Sequence, residues 1–314
     1  MSDKQTNTYG GQAVIEGVMF AGKNSFVTAV RRNDESIDYL TVERQDNPKL
    51  SKLKKIPILR GIAAILHASA NGSKHLNFSS ERYGVNPEDD AQIVPEEKKS
   101  KLAMIIGIGA VGVLSFIFGK LIFTLTPALV ADFFDKWLPS RFEQVALEGF
   151  LKLILLLAYV YLVSLTPLIR RVFQYHGAEH KVINCYENGL PLTVENVQKQ
   201  SRLHYRCGSS FMLFTVIVGV IVYMFVATDP LWWRMVNRIM LLPLVIGLSF
   251  EVLQLTNKVR DIPVLRFLGY PGLWLQLVTT KEPKDDQVEV ALASFKKVLE
   301  NDSVQVNSGI KIVR

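Results

Sequence analysis

His176 and His180 stand four residues apart in Tyr175-His176-Gly177-Ala178-Glu179-His180-Lys181, just past a long apolar run. On a helix that spacing puts both imidazoles on one face, about one turn apart. Two neutral imidazoles can hold a divalent metal, and a carboxylate beside them can take a proton from water. The order His-x-x-Glu-His is also that of the inverzincin motif, a short pattern whose meaning depends on its context. The bland alternative is a helix whose two histidines are surface residues or hydrogen-bonders. Clustering speaks for the metal: three of the five histidines and both cysteines lie between 176 and 207.

The elements that must position these groups carry their own punctuation. A helix through His176 is expected to stop near Asn188-Gly189, with Pro191 just beyond. Its His180, Ile183 and Glu187 share a face, while Cys185 points away and reads as a small buried hydrophobe. Thr193 can cap a second short helix running to about Leu203. That helix delivers His204-Tyr205-Arg206-Cys207, so His204 and Cys207 are the outside ligands expected to join His176 and His180. Glu187 is the local alternative, and Cys207 has an alternative role as a packing residue. Zinc accepts His, Cys or carboxylate, and a catalytic site needs three protein ligands plus an open position. Glu179 is then the expected general base or acid.

Long uncharged runs place this site at a membrane. Leu102–Gly119 lacks charge and the apolar text continues past Lys120 to Val130; Phe150–Ile169 is broken only by Lys152. Cys207–Thr228 is uncharged and Ile239–Asn257 holds one charge, Glu251. About 20 apolar residues span a hydrocarbon core, so four spans are expected. Lys120 and Lys152 read as span-end residues that snorkel, and Gly107, Gly109 and Gly112 as helix-packing positions. Glu251 is either a headgroup-zone residue or a carboxylate reaching the middle loop from below. Arg170, Arg171, Lys181, Lys199, Arg202 and Arg206 fill that loop, whereas the outer loops carry only Lys136, Arg141, Arg234 and Arg238. Both termini and the loop 170–206 are therefore expected to face the cytoplasm of a multi-pass protein. No apolar signal segment opens the chain, and cysteines on that side are expected as thiols.

The expected fold is thus an α-helical membrane protein: four transmembrane helices, a mixed α/β cytoplasmic N-terminal region and interfacial helices. Residues 1–100 form that region, 101–257 the membrane domain, and 258–314 a cytoplasmic C-terminal segment. Within 1–100, Gly10–Met19 reads as short extended segments, and Phe26–Arg31 with Ile37–Val42 as a hairpin. Glu16 lies in the first of these, which either closes over the middle loop or is a plain structural turn. Ile56–Leu66 is apolar but too short to span, so 56–70 reads as interfacial or re-entrant, and 81–100 as a charged linker. Ile262-Pro263-Val264-Leu265-Arg266 echoes Ile56-Pro57-Ile58-Leu59-Arg60, five positions that chance also explains. Trp274 and Tyr270 in 262–276 suit an interface. The tail holds an amphipathic helix, Val288–Leu299, and a strand-like Gly309–Val313. A net charge of +7 suits anionic lipid and no nucleic-acid motif accompanies it. The sequence sets no oligomeric state.

Four motifs in order resemble the YqhQ family of bacterial membrane proteins of unknown function, whose members carry the label of metal-dependent enzymes. They are Gly10–Met19, Tyr175–Lys181, His204–Phe211 and Pro271–Gln276, and the match runs from about Tyr9 to Val290. The family's His-x-Arg-Cys-Gly-Thr-Ser-Phe has Ser209 in place of its Thr here. The resemblance implies a four-span protein with His176, Glu179, His180, His204 and Cys207 at its centre, and no activity. Two functions are open: a zinc-dependent hydrolase acting on a lipid, a lipid-linked group or a membrane peptide, and a non-catalytic subunit of a membrane complex such as protein-insertion or envelope-synthesis machinery. In the second, the histidines and cysteines build a structural core or hold a structural zinc. A transporter is disfavoured, since four short spans with few internal charges leave little room for a path.

Overall fold

The computed structural model describes residues 9–44, 56–92, 126–226 and 230–308, with 53, 119, 122 and 123. The first expected span, its glycines and Lys120, and the strand-like 309–313, lie outside these residues, apart from the end of the span. The fold is mostly helical with a small N-terminal antiparallel sheet. That sheet is a meander of β1 (Gly10–Val14), β2 (Gly17–Ala21), β3 (Ser25–Arg31) and β4 (Ile37–Glu43) in consecutive order. The glycine-punctuated segment and the hairpin are thus one sheet, with Val18 opposite Ala29 and Phe20 opposite Val27.

Alternation gives the sheet two apolar faces. On one, Val18, Phe20, Val27 and Ala29 pack against α4 (Pro167–Glu187) and α10 (Asp285–Ser308), through Tyr175, Val182, Ala291 and Phe295. On the other, Val14 and Val30 meet Phe78 of α1 (Leu59–Arg82). The two ends of the chain therefore share one core. Asp302 accepts from the backbone N–H groups of Lys23 and Asn24, each at 3.0 Å, and Ser294 donates to the Val27 carbonyl. The tail helix is longer than Val288–Leu299 because Asp285 and Asp286 suit its N-terminal dipole. Part of the charged 81–100 segment is a 3₁₀ turn, Pro87–Gln92, whose Asp90 pairs with buried Arg32.

The remaining helices are α2 (Thr126–Phe133), α3 (Arg141–Ser164), α5 (Val194–Gln198), α6 (Ser209–Tyr223), α7 (Leu231–Met240), α8 (Leu242–Lys258) and α9 (Tyr270–Thr279). Of the described helices, α3 alone is long and apolar enough to cross a membrane; α7 and α8, bent by 51°, pass together as a second candidate. α6 is apolar but has only 15 residues. The second expected span begins nine residues too late, because the apolar run hid a capping box. Ser140 accepts from the Glu143 N–H while Glu143 accepts from the Ser140 N–H. Pro167 opens α4, so the run from 150 to 169 is split between two helices. Lys152 is consequently not a span-end residue: it lies about three turns into α3.

α1 starts against α8 rather than free. Glu251 pairs with Arg60 and accepts the Ile58 N–H at 3.1 Å. Ile58 takes a φ of 69°, and Gly247 is the residue that lets it in, since a Cβ there would meet Ile58 backbone.

Candidate metal centre

α4 runs unbroken through the motif, so His176 and His180 do share a face, their rings 4.5 Å apart between centroids. The helix stops where expected, with Gly189 at a φ of 68°, and Thr193 caps α5. α5 is shorter than expected, however, and Lys199–Arg206 is irregular. The reason is competition: Asn184 takes the carbonyls of Ser201 and Leu203, and His180 takes that of Arg202, so they face α4 instead of closing helical turns.

That loop brings Cys207 to the histidines. Its Sγ lies 3.2 Å from His176 Nε2, and the candidate ligand atoms of His176, His180 and Cys207 all fall within 4.8 Å of one another. Each imidazole is oriented by its far nitrogen. His176 Nδ1 sits 2.8 Å from the Thr279 carbonyl and His180 Nδ1 sits 2.7 Å from the Arg202 carbonyl. A carbonyl only accepts, so both Nδ1 atoms carry the proton and both Nε2 lone pairs face the Cys207 thiol, the three atoms a metal would take. Burial lowers the His180 pKa, while Cys207 pulls it back up. Ser209 Oγ is 3.0 Å from the Cys207 sulfur and 3.2 Å from Thr279 Oγ1, a hydroxyl pair able to stabilise a thiolate.

Glu179 is 5% exposed, and burial pushes its pKa up to about 7, against the opposing pull of His176 and the Gly11 N–H. A carboxyl near 7 can both take and return a proton at neutral pH. Gly11 has a necessary identity: a Cβ there would stand 2.9 Å from Glu179 Cγ and Cδ and 2.8 Å from the Met19 carbonyl oxygen. β1 thus closes over the middle loop. Glu16 is not part of the cluster; it pairs with Arg171 and accepts the Tyr175 hydroxyl at 3.3 Å, fastening the β1–β2 turn to α4.

His204 stands beside these side chains, its ring centroid 5.8 Å from that of His180. Its Nε2 faces Glu187 at 3.5 Å, and its Nδ1 receives the Arg206 N–H at 3.4 Å. Burial opposes ionisation of Glu187, yet His204 and Arg206 hold its pKa at about 2. Arg260 joins the same carboxylate at 3.5 Å. Glu187 is therefore a counter-ion for this basic group, and Glu251 is occupied by Arg60. Cys185 is a core residue whose thiol pKa is raised by burial.

Several residues that organise the centre lie outside the sequence-derived set. Buried Gln276 accepts the His204 N–H at 2.8 Å and donates to the His204 carbonyl at 2.9 Å and to Ser210 Oγ at 3.0 Å. It clamps the Cys207 loop to α9. Gly177 lets the segment after α9 pass, since a Cβ would run into the Lys281 carbonyl oxygen. Pro271–Gln276 was recognisable only as a motif; its polar residue in an apolar run was the available signal.

The family described as "Protein of unknown function (DUF1385)" matches residues 56–301. "Uncharacterized protein YqhQ" of Bacillus subtilis (strain 168) is 65% identical over 292 residues, covering 93% of this chain and 92% of that one. No solved structure matches. With a match over most of its length and the His176–His180 and Cys207 motifs inside it, this chain belongs to the DUF1385 family and is a relative of YqhQ.

Proposed function

We propose that the chain is a metal-dependent hydrolase of the cytoplasmic membrane face, with His176, His180 and Cys207 holding a divalent ion, zinc by the softness of the donor set. One observation carries this reading: two Nε2 lone pairs and a thiol converge while both Nδ1 atoms are tied to carbonyls. The donors fit a three-ligand catalytic site. An ion bound there would bring the pKa of a water in its open position to about 7. Glu179 would take that proton and return it to a leaving group. Arg206 and Arg260, held by Glu187, are then a basic group beside the site for an anionic substrate.

In this reading the chain has four spans, with both termini and the 170–206 loop cytoplasmic. The apolar α3 with its exposed Phe150 and Leu162, the α7–α8 pair and the basic bias of the loops support it. The substrate is then a lipid, a lipid-linked group or a membrane peptide, because the centre lies between the end of α3 and the start of α6, two apolar helices of this reading. A second reading is favoured by the burial of Glu179, His180 and Cys207: a structural zinc in a non-catalytic subunit of a membrane complex. Elemental mass spectrometry of detergent-purified protein tests the centre. One zinc equivalent, lost in His176→Ala and Cys207→Ala, is expected; no metal after growth in zinc, manganese or iron would refute it. Metal retained in Glu179→Gln with hydrolysis of lipid esters or peptides lost would favour the hydrolase over the structural zinc.

A further inference from the structure

A second set of buried charges lies far along α6 from the metal centre. Glu148 and Lys152 on α3, Arg238 on α7, and Thr215 and Tyr223 on α6 line a cavity of about 200 Å³. The Glu148 carboxylate is shared: Arg238 pairs with it, and Lys152 Nζ lies 2.7 Å away. Glu148 and Arg238 side chains are 3% and 4% exposed and that of Lys152 is 16% exposed. Both cations also flank the Tyr223 ring, at 5.6 Å for Lys152 and 5.1 Å for Arg238. One carboxylate facing two cations leaves an excess positive charge in the cavity wall. Ionisable groups at membrane depth are costly and mark ligand or ion sites when their charges do not cancel.

We infer that this cavity binds the phosphate of an anionic amphiphile, with the Lys152 ammonium on the phosphate oxygens and the chain along the apolar wall. Arg238 is forked onto Glu148, so the lysine supplies the point charge that suits a phosphate while the arginine adds its field. Val145, Val220 and Leu242 supply the apolar wall. The volume is below the few hundred Å³ of pockets that enclose whole drug-sized ligands, so it takes a head group rather than a whole lipid. On α7, Trp232, Trp233, Ile239 and Met240 are exposed while Arg238 turns inward to the cavity, the disposition of a helix lying at an interface. The inference rests on the membrane reading above and is independent of the metal.

The test is native mass spectrometry of the full-length protein in mild detergent, titrated with phosphatidylglycerol, with diacylglycerol and with inorganic phosphate. Phosphatidylglycerol retention over diacylglycerol is expected, at least 10-fold weaker in Lys152→Met, which keeps the Glu148–Arg238 pair, and restored in Lys152→Arg. Competition by millimolar inorganic phosphate would assign the site to free phosphate; its absence assigns it to the lipid. Equal retention of both lipids, or an unchanged Lys152→Met, overturns the inference. If Lys152→Met does not purify, Thr215→Leu fills the cavity and must displace the lipid, or the inference fails. Recovery of the protein in the aqueous fraction without detergent would instead refute the membrane reading, and zinc content in each variant reports separately on the metal centre.

Discussion

Gly10 and Gly11 are neighbours on one strand, yet replacing each by alanine is expected to have opposite consequences. At Gly10 a Cβ meets nothing within 4 Å, and the substitution only restricts the unfolded chain, a gain of up to about 1 kcal/mol. At Gly11 the same atom would stand 2.8 Å from the Met19 carbonyl oxygen and 2.9 Å from two carbons of Glu179. One obstacle is backbone and the other a buried side chain, so neither yields freely. Overpacking of this kind costs about 1–3 kcal/mol. Backing the strand away also loosens the Gly11 N–H bond to the carboxylate, a charge-assisted contact of about 1.5–3 kcal/mol if lost. After the alanine gain, Gly11→Ala is expected to lose about 1.5–5 kcal/mol, roughly 3–20 °C in melting temperature at the scale of a domain this large. Differential scanning fluorimetry of the two variants in one detergent makes the comparison. Equal melting temperatures for Gly10→Ala and Gly11→Ala would refute the closure of β1 over Glu179.

Three further outcomes are expected. Gly177→Ala gains about 1 kcal/mol of helix propensity but collides with the Lys281 carbonyl, so it should destabilise the fold and release metal, whereas Gly208→Ala, with open space around it, should do neither. Gln276→Ala leaves the His204 N–H and carbonyl without their side-chain partner and should cost about 2–4 kcal/mol, read as a lowered melting temperature. His75 is buried beside Thr28, its Nδ1 2.6 Å from Oγ1, and burial lowers its pKa to about 4. The unfolded chain then binds more protons between pH 6.5 and 4, so stability present above 6.5 falls as pH drops through that window, by at most ~3 kcal/mol. A His75→Leu variant whose stability keeps the same slope between pH 4 and 6.5 would contradict that assignment.

Local punctuation made much of the site legible. The His176–His180 spacing, the stop at Asn188-Gly189 and the Thr193 cap are short-range signals, and the structure follows each of them. The hairpin of β3 and β4 was equally plain from alternation. What escaped depends on distance in sequence or on a competing signal. The start of α3 was set by Ser140 and Glu143, polar residues that a search for apolar runs passes over. His204 was expected among the ligands by spacing, and its place beside Glu187 and 5.8 Å from the His180 ring is visible only when α4 and the loop are side by side. Gln276 and Thr279 act across about 70 residues or more, and no local pattern announces that.

The shared core of the two chain ends has a consequence for biogenesis. The apolar face of β2 and β3 finds its cover in Ala291 and Phe295, more than 260 residues later. At translation rates of about 5–20 residues per second, the nascent sheet waits roughly 15–50 s for that helix while the intervening residues are made. The Thr279 carbonyl that aims His176 also follows it by 103 residues. The centre therefore matures only after α9 has been made, and a polypeptide stalled before α10 leaves that face of the sheet covered by α4 alone.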